Sequence, residues 1–209
     1  MNNLIYGNQQ AEKIGPQVEE KLRKETSAAS PIPYQVEPGD AGQTTLNSVF
    51  KDIGTGLFGG KSNVLFTLVF DITTPRPAQL RTIVVRQGIG SYVQALFYSV
   101  KLAKPIKGEV VLAPPKTFGA SNFVGDDAEA AGKLNAKGDI SKRIGKFART
   151  KTQMGAIEVE LSRFVKLMPQ SDGTLVMISS LPRMTSLGMD ASLDAKEFFE
   201  IAAMIEAAL

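Results

Sequence analysis

Residues 62–72 have the sequence SNVLFTLVFDI, a nearly continuous run of apolar and strand-forming residues. An extended chain places apolar side chains on both of its faces here, with Leu65 and Val69 on one and Val64, Phe66, Leu68 and Phe70 on the other. Such a run is typical of a strand in the middle of a sheet that is covered on both sides. The segment therefore predicts the central strand of the main domain.

Further strands are predicted around this one. Short apolar runs at 81–86 and 108–113 favour strands, and 91–102 fits either a helix or a strand, of which we favour the strand. Apolar residues alternate with polar ones through 156–168, where Ile157, Val159 and Leu161 alternate with Glu158, Glu160 and Ser162. The turn-forming residues PQSDG at 169–173 lead into GTLVMISS, so this part of the chain predicts a β-hairpin.

Helices are predicted mainly in the C-terminal half. Asp126 and Glu129 have the spacing of a capping box, and Asp139 is placed to cap a following helix. Gly138 lies between the two predicted helical segments. We expect two helices or one kinked helix there. The last helix has its own capping box, Asp194 and Glu197, followed by apolar residues at helical spacing: Phe198, Ile201, Ile205 and Leu209.

The N-terminal part has a different composition. Residues 16–25 predict a short helix with Pro16 at its first position, and the Pro/Gly-rich stretch 26–45 predicts a linker or an arm on the domain surface. We therefore expect a helix plus arm at 1–45 and one α+β domain at 46–209. Its sheet is predicted to be mostly antiparallel, with helices packed on one face and the C-terminal helix in the core.

The chain of 209 residues contains neither histidine nor cysteine. This composition excludes imidazole and thiol catalysis, disulfides and the usual transition-metal ligands, so we expect no metal and no cofactor. Asp126, Asp127 and Glu129 are candidate oxygen ligands for a hard cation, but helix capping explains them more simply. Ser179 and Ser180 would need a lysine or carboxylate partner to act as nucleophiles. The sequence does not show whether Arg183 or Lys196 lies near them.

A glycine-rich stretch, GTGLFGGKS at 54–62, resembles a phosphate-binding loop at its end. The required first glycine is replaced by Thr55, and the stretch leads into a predicted strand rather than a helix. We therefore interpret it as a turn that leads into the strand.

The strongest candidate for binding is a basic helix. Between 133 and 151, seven Lys and Arg residues accompany one acid, Asp139. Helical spacing puts Ile140, Ile144 and Phe147 on one face, and on the other Lys142, Arg143, Lys146 and Arg149. Such a helix fits an anionic membrane surface or an acidic protein, whereas nucleic acid is disfavoured because no aromatic residues are interleaved with the charges. The simpler alternative is a solvated face of an ordinary helix.

The sequence shows no signal peptide and no apolar run that would span a bilayer, which predicts a soluble cytoplasmic protein, peripheral to a membrane if the basic helix docks there. A soluble domain separated from a larger membrane protein would have the same features. We expect a non-catalytic binding or scaffolding domain. The alternative is an enzyme that acts on a small anionic substrate with lysine and carboxylate chemistry.

Four segments carry a resemblance to a known group of proteins: FxxxNFVGDDAEAAGKLN from Phe118, then IEVEL, DGTLVMIS and SLDAKEFFEIAAMIEAAL. Over 118–209 the chain resembles soluble domains of uncharacterised bacterial membrane-anchored proteins. The resemblance implies a strand, a helix with an acidic start, a hairpin and a closing helix, and it implies a bacterial protein. It implies no catalytic residue, and the chain departs from the pattern because it has no spanning segment.

Overall fold

The computed structural model describes residues 3–53, 64–87, 90–113, 121–145, 164–180 and 193–209. The chain divides into two compact units, Met1–Ser99 with Met184–Lys196 and Val100–Arg183 with Glu197–Leu209. Both combine helices with antiparallel strands, so the predicted α+β class with a mostly antiparallel sheet is confirmed.

The first unit contains the strands in the order β1-β2-β3-β4. Its elements are α1 (Asn3–Thr26), β1 (Tyr34–Pro38), α2 (Gly39–Ile53), β2 (Val64–Ile72), β3 (Ala78–Gln87) and β4 (Gly90–Leu102), whose last residues belong to the second unit. The predicted strands at 81–86 and 91–102 are therefore confirmed.

The central-strand prediction for β2 is also confirmed. Residues 66–70 of β2 are at most 2% exposed. Helix α1 covers one face, where Gly7 lies against Phe66, and α2 covers the other, where Gly42 lies against Thr67 and Ile83. Because an added side chain at Gly42 would collide with Thr67, the glycine permits the close approach of α2 to the sheet.

The N-terminal predictions need correction. Helix α1 begins at Asn3 rather than at Pro16, so Pro16 lies inside the helix. Its buried residues Ala11, Ile14, Val18 and Leu22 keep helical spacing through the proline, and burial of this stripe outweighs the one backbone hydrogen bond that proline removes. Residues 34–45, predicted to be part of an arm, instead form β1 and the first half of α2, because β1 pairs along β2.

The second unit contains strands in the order β8-β7-β5-β6. Its elements are β5 (Val110–Ala113), β6 (Asn122–Gly125), α3 (Ala128–Ala136), α4 (Gly138–Gly145), β7 (Val165–Gln170), β8 (Gly173–Ser180) and the main part of α5 (Ala195–Ala208). The described residues here form two separate helices, one of the two predicted arrangements, with Gly138 at the start of the second.

The predicted hairpin is present as β7 and β8, whose register pairs Gln170 with Gly173. Gly173 has a φ of +148°, and an added side chain there would collide with the carbonyl of Leu102. This turn therefore requires glycine. The alternating residues 157–162 lie outside the described residues.

The C-terminal helix packs in the core as predicted, because Phe198, Ile201 and Ile205 are at most 1% exposed. The start of α5 is bound by a residue that the sequence did not point to. The Glu25 carboxylate at the end of α1 accepts hydrogen bonds from the amides of Leu193 (2.7 Å) and Ala195 (2.9 Å). Asp194 lies between these amides with a φ of +57°, a left-handed conformation that makes a concave turn for an anion.

We expect Glu25→Ala to lower the free energy of unfolding by about 1–3 kcal/mol, because two amides lose their acceptor. Glu25→Gln should cost less, since one oxygen remains. Urea unfolding measures both, with Glu12→Ala, an exposed site on the same helix, as the control. A Glu25→Ala variant as stable as the control would contradict the role of this carboxylate.

Candidate anion-binding surface on α4

The two faces of α4 are arranged as the sequence predicts, as far as the structure describes them. Ile140 and Ile144 are 3% and 0% exposed, whereas Lys142 is exposed. Lys142 forms no ion pair with the described residues. Lys146 and Arg149, the other predicted members of the cationic face, lie outside the described residues.

Arg143 has a different role from Lys142. Its Nε lies 3.2 Å from Oε1 of Glu197 and its Nη2 lies 3.3 Å from Oε2 of the same residue, while Nη2 also binds Glu200. Hydrogen bonding to Glu197 raises the pKa of Arg143 above its usual value, against a smaller opposing effect of desolvation. Arg143 therefore fastens α4 to α5, and its charge is compensated by two carboxylates.

Glu197 and Glu200 are the partners that sequence reasoning missed. The sequence pattern places Glu197 in a capping box and assigns no role to Glu200. They are three residues apart and so share one side of α5. Two acids at this spacing predict a pair that binds a basic side chain, but the sequence does not show which side chain that is.

Lysines on α3 and next to it are also partly paired with an acidic residue. Lys133 lies 3.0 Å from Glu129 in the same helix, and Lys107 lies 3.3 Å from the other oxygen of Glu129. Hydrogen bonds from Lys133 and Lys107, in that order, lower the pKa of Glu129. Lys137, which follows α3, is exposed. The positive charge available to a ligand is therefore smaller than the sequence count of 133–151 implies.

An acidic residue at the start of α3 caps the helix. This is the role that the sequence favours over a cation site. The capping residue is Asp127 and not the predicted Asp126. Its oxygens accept from the amides of Ala130 (3.0 Å) and Lys107 (2.7 Å). The one-residue shift arises because the amide of Asp126 pairs with the Glu109 carbonyl at the end of the β5–β6 ladder, which leaves Asp127 in the capping position.

The other candidate sites take structural roles or fall outside the described residues. No cluster of three or more acidic residues suited to a metal ion is found in the part of the chain that the structure describes. Ser179 is fully buried, and its hydroxyl accepts from the Phe164 amide at 3.1 Å. The stretch 54–62 and Arg183 lie outside the described residues, but the element after 54–62 is strand β2, not the helix that a phosphate loop requires.

Comparison with family models, curated proteins and solved structures found no match to this chain. Among the helices that the structure describes, none has the length and apolar character to span a bilayer.

Replacing Arg143 distinguishes its structural role from a docking role. We expect Arg143→Gln to lower the free energy of unfolding by about 0.5–1 kcal/mol at low salt, a modest value because 39% of this side chain is exposed. The loss should shrink at high salt. Urea unfolding at two salt concentrations measures it, and Lys142→Gln is the matched control that should leave stability unchanged. Equal stabilities of the two variants at low salt would show that the Arg143 cluster contributes nothing.

Asp127 makes the stability of the fold depend on pH. Hydrogen bonds from the Ala130 and Lys107 amides lower its pKa below the ordinary value, which is about 3.9 in an unfolded chain. The stabilisation is fully present above that value and is lost as the pH falls through the lower folded-state pKa. Asp127→Asn should therefore be less stable than wild type at neutral pH, and the difference should shrink below about pH 4. Thermal unfolding from neutral to acidic pH checks this, and a constant difference would contradict it.

Proposed function

We propose that this protein is a non-catalytic binding domain that docks to an anionic membrane surface through the exposed face of α4. The observation that carries the proposal is the position of Lys142, exposed on a helix whose opposite face is buried through Ile140 and Ile144. The ion pairs of Arg143 to α5 hold this helix in place. A cation is thereby presented on a helix that packs through its apolar face and is joined to α5 by Arg143.

The sequence continues this cationic face beyond the described part of α4. Lys146 and Arg149 follow Lys142 by four and seven residues, the spacing of one helical face. A cation near an anionic bilayer contributes about 1 kcal/mol, so three of them contribute about 3 kcal/mol. We therefore expect weak, reversible docking that salt abolishes, rather than permanent anchoring.

The described carboxylates with displaced pKa values are ionised hydrogen-bond acceptors and do not have the properties of a general acid. The described carboxylates with displaced pKa values have them lowered, each through hydrogen bonds to lysines or backbone amides: Glu20, Asp127, Glu129 and Asp172. A general acid that works near neutral pH needs a raised pKa instead. The resemblance of 118–209 to domains of bacterial membrane-anchored proteins supports a membrane surface over an acidic protein partner, and with it a cytoplasmic protein peripheral to the membrane.

Vesicle co-sedimentation tests this proposal. Wild type should sediment with vesicles that contain phosphatidylserine at low salt, remain in solution with phosphatidylcholine vesicles, and be released as salt rises beyond the range where the Debye length is about 10 Å. The variant that combines Lys142→Gln, Lys146→Gln and Arg149→Gln should lose this binding. Arg143 is kept because it stabilises the fold.

The matched control carries the same change in net charge on α1, as Lys13→Gln, Lys21→Gln and Lys24→Gln. It should bind as wild type does, since these lysines lie on another helix. Equal losses in both triple variants would indicate attraction by net charge alone. Absence of wild-type binding to anionic vesicles at low salt would overturn the proposal and leave α4 with an ordinary solvated face.

A further inference from the structure

Strand β1 lies at the end of the strand order, with one edge paired to β2. The Asp71 amide donates to the Pro33 carbonyl at 3.0 Å, and the register pairs Tyr34 with Phe70. In an antiparallel ladder the hydrogen-bonded pairs alternate, so the backbone groups of Gln35 and Glu37 point to β2. The N–H and C=O groups of Tyr34 and Val36 therefore point to the opposite edge of β1, which no described strand pairs. We call this the open edge.

This open edge is short and has defined ends. The next outward amide on one side, that of Ile32, is already bound to Glu19 of α1 at 2.9 Å. On the other side Pro38 has no N–H. Within the described part of the chain, no group is hydrogen-bonded to the outward backbone groups of Tyr34 and Val36. Val36 is also 48% exposed, and with Val124 of β6 (47%) it is one of two exposed large apolar side chains among the described residues.

The strand at the end of the order in the second unit, β6, is closed by contrast. The Asn135 side chain of α3 accepts from the Phe123 amide and donates to the Phe123 carbonyl, both at 2.8 Å. One carboxamide thus occupies the place of a neighbouring strand. Proteins commonly block edge strands in this manner to prevent pairing between chains. The open edge of β1 has no such block among the described residues.

We propose that β1 pairs antiparallel with β1 of a second copy of this chain and forms a two-fold symmetric dimer. In the proposed register, Tyr34 of one copy lies opposite Val36 of the other, and Gln35 meets its own symmetry mate on the two-fold axis. Each outward N–H and C=O of Tyr34 and Val36 then has a partner, which gives four intermolecular hydrogen bonds.

Neighbouring registers match less well. Pairing Val36 with itself would place Tyr34 opposite Pro38, which has no N–H to donate to the Tyr34 carbonyl. Pairing Tyr34 with itself would place Val36 opposite Ile32, whose amide is bound to Glu19. The proposed register is the one of these three in which both groups of both residues find partners. The defined ends of the edge thus fit a second copy in this alignment.

Side chains are compatible with this pairing. Val36 comes to lie opposite the partially exposed Tyr34 of the second copy, which covers the exposed apolar surface. Glu37 already forms an ion pair with Arg81 at 2.6 Å and lies opposite Pro33 of the second copy, so no like charges face each other. The small contact area predicts a weak dimer that forms at high protein concentration.

Disulfide trapping tests the register, because the chain has no natural cysteine. In Gln35→Cys, two thiols meet at a non-hydrogen-bonded pair with a Cα separation of about 4.5 Å, within the range of a disulfide. In the control Pro33→Cys, the thiols are four residues out of register, about 13 Å apart. With diamide as oxidant, the first variant should form covalent dimers and the second should not. Equal crosslinking of both, or none in either, would overturn the proposed register.

Sedimentation velocity over a concentration series tests the hydrogen bonds. Val36→Pro removes an outward N–H without removing a bond to β2, and edge strands tolerate proline, so the monomer should fold while dimerisation is lost. Val36→Thr keeps the N–H and the side-chain shape and should dimerise as wild type does. Circular dichroism confirms folding of both variants. A wild type that remains monomeric at all concentrations, or a Val36→Pro variant that dimerises equally, would overturn the proposal.

Discussion

Burial of β2 on both faces is the constraint on which the first unit depends. Since residues 66–70 are nearly inaccessible, α1 and α2 must both be present before this strand is protected from water. This packing also includes an unfavourable feature. The hydroxyls of Thr67 and Thr82 are buried without a hydrogen-bond partner among the described residues, which lowers the free energy of unfolding by about 1–3 kcal/mol each. Apolar burial around them has to exceed that loss.

Elements with a strong local signal were predictable. Strand β2, the β7–β8 hairpin and α5 each carry an apolar pattern or a turn that identifies them without tertiary information. Strand β1 and the N-terminal half of α1 were missed because their stability comes from contacts far along the chain: YQVEP has no clear apolar period and forms a strand because β2 lies beside it. Pro16 suggested a helix start, whereas the buried stripe continues on both sides of it.

The sequence predicts which residues of α4 are buried and which are exposed, but not which of its charges are already paired. Helical spacing correctly separated Ile140 and Ile144 from Lys142. Arg143 falls on the same arc as Lys142, but its long side chain reaches sideways to carboxylates that lie 54 and 57 residues later in the chain. Such pairing depends on tertiary structure, which a helical projection does not contain. A count of basic residues therefore overestimates the charge that remains for a ligand.

The carboxylate of Glu25 has a consequence for synthesis on the ribosome. Its two amide donors come 168 and 170 residues later, in a segment that belongs to the same compact unit as the N-terminus. The N-terminal unit therefore remains incomplete until almost the whole polypeptide has left the exit tunnel. Contacts of such high sequence separation slow folding, so the last hydrogen bonds of this unit form only late in synthesis, after β2 and its two covering helices have been made.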